Sequence, residues 1–99
     1  MQFCPWYPLD GGEAHAPAGR GVFQVRAPEL CDYPRGKTAM VHYELADDVR
    51  AAVARYASDH AGRGWLCRHA DDPAIDTIYA RLVREFSARF GCEPTERFA

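Results

Sequence analysis

Apolar side chains recur every three or four residues between positions 75 and 90, and this stripe constrains the fold more than any other feature. The spacing predicts an α-helix with one apolar face. Asp72 as N-cap and Pro73 at the first helical position predict its start, and Gly91 predicts its end. A helix of this kind needs a second layer to cover its apolar face. The stripe consists of Ile75, Ile78, Tyr79, Leu82, Val83, Phe86 and Phe90.

Three segments with β-like patterns can supply that layer. Residues 21–27 and 39–46 are separated by a loop centred on residues 33–36, which predicts a hairpin. Residues 64–69 predict a third strand between two helices.

A second helix is predicted from an N-cap at Asp47 to about His60, with Val49, Ala52, Val53 and Tyr56 as its apolar stripe. We therefore expect an α/β (α+β) fold with the element order β-β-α-β-α. Its small, mainly antiparallel, three-stranded sheet would be covered by two helices.

The first 20 residues differ in composition from the rest. Their prolines and glycines disfavour regular structure, so we expect an extended N-terminal arm at 1–20 and a single domain at 21–99. The arm also contains Phe3, Trp6 and Tyr7. This aromatic cluster is expected to pack on the domain, on a protein partner or on a second copy of the chain.

The charge balance argues against tight, unassisted binding to DNA or RNA. The chain has 12 basic and 14 acidic residues and a net charge of −2, whereas nucleic-acid-binding proteins usually carry a basic excess. Eleven of the basic residues are arginines, which leaves room for a locally basic face. The apolar runs are too short and too charged to span a membrane, and residues 1–7 do not resemble a secretory signal. We therefore expect a cytoplasmic protein with no membrane partner.

The four cysteines are widely spaced, which predicts free thiols rather than a disulfide framework. Cys67 and His69 are two residues apart on one predicted strand and would share a face. A zinc site built on them is an alternative, although zinc ligands usually occur as several closely spaced pairs.

The element order and several short motifs resemble the GIY-YIG nuclease superfamily. Gly21-Val22-Phe23 is similar to the triplet that opens the family's first strand. Residues 46–50 are similar to its strand-to-helix junction, which aligns residues 42–44 with the second triplet. The family's last helix and the segment that leaves it have a similar pattern at Leu82, Val83, Phe86, Phe90, Gly91 and Pro94. The resemblance covers residues 21–95 and implies a nuclease scaffold that acts with one divalent metal ion.

The resemblance also implies that most catalytic positions are replaced. The family's two tyrosines correspond to Phe23 and His42, and a further tyrosine or histidine position keeps Tyr56. The triplet glycine, the arginine and the metal-binding glutamate correspond to Glu44, Ala52 and Tyr79.

Displaced groups could restore part of the site. Arg55 lies three residues after the replaced arginine, and Asp76 lies three residues before the replaced glutamate, on the same helical faces. These two could converge with His42 and Tyr56, and Asp76 would then be the metal ligand. The alternative is that both are solvated helix charges. The catalytic candidates are Phe23, His42, Arg55 and Tyr56.

We expect a catalytically degenerate GIY-YIG-like domain, without a cofactor, that acts as an interaction module for protein or nucleic acid. Arg81, Arg84 and Arg89 on the last helix are the candidate nucleic-acid contacts, or else a solvated face. The alternative function is an endonuclease that uses the displaced residues and Mg²⁺ or Mn²⁺ to hydrolyse phosphodiesters.

Overall fold

The computed structural model describes residues 1–99 and contains four strands and two α-helices. The sheet has the strand order β1-β4-β2-β3, and every neighbouring pair is antiparallel. Short 3₁₀ helices lie at Gly12–Ala14 and Glu96–Phe98. The main elements are β1 (Tyr7–Pro8), β2 (Gly21–Tyr33), β3 (Gly36–Ala46), α1 (Val49–Asp59), β4 (Leu66–Ala70) and α2 (Ile75–Phe90).

The antiparallel sheet and two helices are as predicted, but the sheet has four strands rather than three. The additional strand is β1, in the segment whose composition indicates an extended arm. Tyr7 pairs with Cys67 and Pro8 with Leu66. A strand of two residues shows no alternation in the sequence, and its proline is tolerated because β1 lies at the edge of the sheet.

The β2–β3 hairpin is longer than predicted, and its register shifts twice. Gly36 follows the turn with φ 142°, a conformation that residues with a Cβ rarely adopt. The register shifts after Val25 pairs with His42, and again between Arg26 and Cys31. Residues 27–30 therefore lack partners on β3, and this stretch includes a proline, which has no amide hydrogen to donate.

The two helices cover opposite faces of the sheet. The α1 face carries Phe23 and His42, whose rings both contact Tyr56 of α1. The α2 face carries Tyr43, whose ring centroid lies 5.4 Å from that of Phe86. These opposite placements follow from the side-chain alternation of a strand, since positions 42 and 43 are adjacent.

The start of α1 lies one residue beyond the predicted cap. Asp48, not Asp47, is the N-cap, and its carboxylate accepts a hydrogen bond of 3.3 Å from the Ala51 amide. The Asp47 carboxylate instead pairs with Arg20. The helix ends at His60, as predicted.

The start of α2 also differs from its prediction. The Asp72 carboxylate accepts a 2.9 Å hydrogen bond from the Ala74 amide, which forms a turn ahead of the helix. The helix therefore starts at Ile75 rather than at Pro73. Gly91 ends it with φ 92°, as predicted.

The segment after α2 packs against the hairpin through Tyr33. Its hydroxyl lies 2.7 Å from the Met40 carbonyl oxygen and 2.9 Å from the Thr95 carbonyl oxygen, and it accepts a 3.0 Å hydrogen bond from the Thr95 amide. The Tyr33 ring also contacts Phe98. Neither helix combines the length and apolar composition needed to cross a bilayer.

Candidate functional site

Two of the residues predicted to converge, His42 and Tyr56, stack on the α1 face. The rings of His42 and Tyr56 are stacked, with centroids 4.1 Å apart and planes inclined by 19°. Phe23 contacts both rings, at 5.5 Å and 6.2 Å. Because Phe23 is fully buried, it supports the other two rings and cannot contact a ligand.

Glu44 connects His42 to Arg55. One carboxylate oxygen lies 2.8 Å from His42 Nε2, and the other lies 3.9 Å from Arg55 Nη2. The Arg55 side chain is 69% exposed, so its charge remains available at the surface. The family resemblance presents Glu44 only as a replaced glycine. Its spacing of two residues from His42 on one strand is the signal that could have indicated this bridge.

Tyr56 forms a hydrogen bond with a residue that no sequence motif indicated. Its hydroxyl donates a 3.3 Å hydrogen bond to Glu96, in the second 3₁₀ helix. Burial raises the pKa of the Tyr56 phenol well above its ordinary value, and the Glu96 charge acts in the same direction. The phenol therefore stays protonated at neutral pH and does not serve as a proton acceptor.

Asp76 does not join this cluster. Its carboxylate pairs with Arg20, which also pairs with Asp47, and 69% of its side chain is exposed. The divalent ion that the resemblance implies requires several converging oxygen ligands. The carboxylates of Glu44 and Asp76 instead face nitrogen groups, and no three histidine, cysteine or acidic side chains form a group that could hold a metal ion. The residues at these positions do not fit a divalent ion.

The other two replaced positions have packing roles. Ala52 is buried on α1, 3% exposed. Tyr79 is half-buried on α2, and its hydroxyl lies 3.4 Å from the Tyr43 carbonyl oxygen. Neither side chain is placed to contact a phosphate.

The three predicted nucleic-acid contacts differ in their surroundings. Arg81 forms an exposed ion pair with Glu85 at 3.9 Å. Arg84 is exposed and makes no ion pair. Arg89 lies over the ring of Phe90, 5.1 Å from its centroid, and lines a groove on the α2 face.

That groove has a volume of about 410 Å³, and all the charged residues that line it are positive. Its charged residues are Arg26, Lys37 and Arg89. The Lys37 amine is 3.6 Å from the Asp32 carboxylate, whereas the two arginines have no carboxylate partner. The apolar lining includes Met40, Tyr43, Phe86 and Phe90.

Arg68 on β4 extends this basic surface. Its Nε donates a 2.8 Å hydrogen bond to the buried Gln24 side chain, and its guanidinium lies 4.3 Å from the ring centroid of Trp6. The Arg26 guanidinium lies 5.6 Å from the centroid of the same ring. Burial lowers the pKa of Arg68, and the charge of Arg26 acts in the same direction. The Arg68 guanidinium also lies 4.5 Å from the Phe3 ring centroid, and neither Arg26 nor Arg68 has a carboxylate partner.

We call this region the arginine–aromatic surface. Arg26 and Arg68 were not among the residues predicted from the sequence, although Arg26 lies between buried Val25 and Ala27 and Arg68 follows buried Cys67. The surface consists of Arg26, Arg68, Arg89, Trp6, Tyr43 and Phe90.

The structure shows no cluster of metal-ligating side chains around Cys67 and His69, the pair behind the zinc alternative. Cys67 and His69 share the α1 face of β4, as predicted, because they pair with Val25 and Phe23. They do not belong to a group of side chains that could hold a metal ion. Burial raises the pKa of the Cys67 thiol to about 11. All four cysteines are free.

The candidate residues thus lie on two separate surfaces, the His42–Glu44–Arg55 cluster on the α1 face and the arginine–aromatic surface on the α2 face. The resemblance to the GIY-YIG superfamily stays a prediction from the motifs and the element order. No family model, no curated protein and no solved structure matches the chain significantly.

Proposed function

We propose that the chain is a non-catalytic binding module that takes up single-stranded nucleic acid on the arginine–aromatic surface. The observation that carries this proposal is the presence of three arginines without carboxylate partners beside half-buried aromatic rings. Guanidinium groups neutralise phosphates, and bases stack on aromatic rings and on guanidinium planes. Because the net charge is −2, attraction over long distances is weak and binding depends on this local surface.

A single strand fits this surface better than a duplex. Bases in a duplex are stacked on one another, whereas the bases of a single strand can stack on protein rings. Trp6 and Tyr43 are half-buried side chains at the surface of the sheet. Arg26 and Arg68, two of the three arginines of this surface, lie on strands within the sheet and not on a projecting helix or loop that could enter a duplex groove.

The α1 face supports the non-catalytic part of the proposal. A general base has to reach the proton that it removes. The Tyr56 hydroxyl is committed to Glu96, and His42 Nε2 is committed to Glu44. The buried ring of Phe23 has no hydroxyl to contribute.

The test is oligonucleotide binding by the double variant Arg26→Gln and Arg89→Gln. We expect weaker binding to a fluorescent single-stranded oligonucleotide, and a salt slope smaller by roughly 0.7 for each phosphate that the variant no longer neutralises. Fluorescence anisotropy at several salt concentrations measures both. The matched control is Arg97→Gln, which removes an exposed arginine that lies over Phe98 instead. Equally weakened binding in the control, or no binding by the unaltered chain, would contradict the proposal.

A second candidate function is phosphodiester hydrolysis, supported by the convergence of His42, Glu44 and Arg55. Incubation of labelled DNA and RNA with Mg²⁺ or Mn²⁺ tests it against binding alone. We expect intact oligonucleotides after incubation. Cleavage that requires the metal and disappears in His42→Ala, Arg55→Ala and Asp76→Ala would replace the binding-only proposal.

A further inference from the structure

An apolar pocket of about 470 Å³ lies beside residues 27–30 of β2. Six of its nine lining residues are hydrophobic, and they include the buried Trp65 and the half-buried Phe98. The pocket shares only Leu30 with the basic groove of the arginine–aromatic surface and no residue with the His42–Glu44–Arg55 cluster. The proposal that follows does not depend on nucleic-acid binding.

The backbone of β2 is left without partner strands beside this pocket. The pairing of β2 with β4 ends at Arg26, and its pairing with β3 resumes only at Cys31. Residues 27–30 therefore have no neighbouring strand on either side. A stretch of strand without a partner favours contact with another polypeptide.

Leu30 projects from this unpaired stretch at the rim of the pocket. Its side chain is 67% exposed, and Met1 is the only other large hydrophobic residue with an exposed side chain. One exposed leucine is common on a protein surface, but this one lies next to a cavity with an apolar lining. A two-fold interface uses the same patch on both copies, so the patch has to be complementary to itself. A projecting leucine beside an apolar pocket meets that requirement.

The charges at the rim meet the same requirement. Glu29 and Arg63 both line the pocket and are exposed, and neither forms an ion pair within the chain. The Arg63 guanidinium lies 4.8 Å from the ring centroid of Trp65, so the positive charge is held over the apolar lining. A two-fold arrangement can place each carboxylate near the guanidinium of the other copy. A partner that carries charge of one sign would attract one of these residues and repel the other.

We propose that this pocket is the contact surface for a second copy of the chain. In the two-fold dimer, Leu30 of each copy enters the pocket of the other, and Glu29 of each copy pairs with Arg63 of the other. Burial of the two leucines drives association, and the two ion pairs fix the orientation. Because the contact consists of one pocket and its rim, we expect a weak dimer, with a dissociation constant on the order of 10 µM.

The first experiment is sedimentation velocity at concentrations below and above that constant. We expect the unaltered chain to change from monomer to dimer. Glu29→Arg and Arg63→Glu should each weaken association roughly tenfold or more, because each variant places like charges at both rim contacts. Leu30→Ala should weaken it as well. The matched control is Glu13→Arg, which makes the same charge change at an exposed position outside the pocket and should leave association unchanged.

The second experiment mixes the two charge variants in equal amounts. One variant then carries arginine at positions 29 and 63, and the other carries glutamate at both, so the two rim contacts of a mixed dimer join opposite charges. We expect the mixture to dimerise about as well as the unaltered chain, which would also show that both variants are folded. An unaltered chain that stays monomeric at every concentration would overturn the proposal. So would single variants that dimerise normally, or a mixture that stays monomeric.

Discussion

The hydroxyl of Tyr33 links the β2–β3 hairpin to the segment after α2, 62 residues away in sequence. It lies within hydrogen-bond distance of the Met40 carbonyl and of both backbone groups of Thr95. The residue is 5% exposed, so water does not replace these contacts easily. One atom therefore holds the segment after α2 on the hairpin.

We expect Tyr33→Phe to lower the free energy of unfolding by about 1–3 kcal/mol, because it leaves the half-buried Thr95 amide without its acceptor. Urea denaturation followed by circular dichroism measures the change. The matched control is Tyr79→Phe, whose hydroxyl lies 3.4 Å from a single partner at a half-buried position. Equal destabilisation in the two variants would show that the Tyr33 hydroxyl has no special structural role.

Single residues also show how far the sequence predicts the candidate site. The spacing of α1 and the strand alternation were enough to bring His42, Arg55 and Tyr56 together. The position of Asp76 could not be predicted, because Arg20, from the segment predicted as an arm, neutralises it. Nor does any local pattern indicate that Glu96 reaches Tyr56, since 40 residues separate them.

The first turn of α1 shows why element boundaries are harder to predict than elements. Asp47 and Asp48 are adjacent and have the same capping side chain, so propensity does not separate them. The extended backbone of Asp48, at φ −136° and ψ 100°, and the pairing of Asp47 with Arg20 decide between them. Both features exist only in the folded chain, so the sequence alone does not indicate them.

We expect Asp48→Ala to destabilise the fold by about 1 kcal/mol, as the removal of an N-cap does. Thermal unfolding of the two single variants, Asp48→Ala and Asp47→Ala, measures the difference. Asp47→Ala should have the smaller effect, since exposed ion pairs contribute little. A larger destabilisation by Asp47→Ala would show that Asp47, and not Asp48, is the N-cap.

The apolar stripe of α2 is less buried than its sequence suggests. Only Ile75 and Phe86 of this helix are buried, while Tyr79 and Phe90 stay half-buried. The periodicity correctly predicts which side of the helix faces the sheet, but not how completely the sheet covers it. The partial cover leaves the Phe90 ring at the arginine–aromatic surface.

For the molecule as a whole, the segment before β2 belongs to the core. Tyr7, Leu9 and Ala16 are buried with residues of α1 and the sheet. The aromatic cluster left packing of Tyr7 on the domain open, but the burial of Leu9 and Ala16 could not be predicted, because prolines and glycines report local conformation and not long-range packing. The sheet, the hairpin and both helices could be predicted, since each repeats a local pattern.

We expect Leu9→Ala to lower the free energy of unfolding by about 2–5 kcal/mol, because Leu9 is 1% exposed and its removal leaves a cavity. The matched control is Leu30→Ala, where the side chain is 67% exposed and a change within about 0.5 kcal/mol is expected. Equilibrium unfolding in urea measures both. A small effect at Leu9 would show that residues 1–20 are an appendage of the domain.

The pairing of β1 with β4 has a consequence for the chain as it is being made. Tyr7 and Cys67 are separated by 60 residues, and synthesis proceeds from the N-terminus. The side chains of Tyr7 and Leu9 therefore leave the ribosome long before β4 exists to receive them. During that interval they are exposed apolar groups that a chaperone can bind, and the sheet cannot close until most of the polypeptide has emerged.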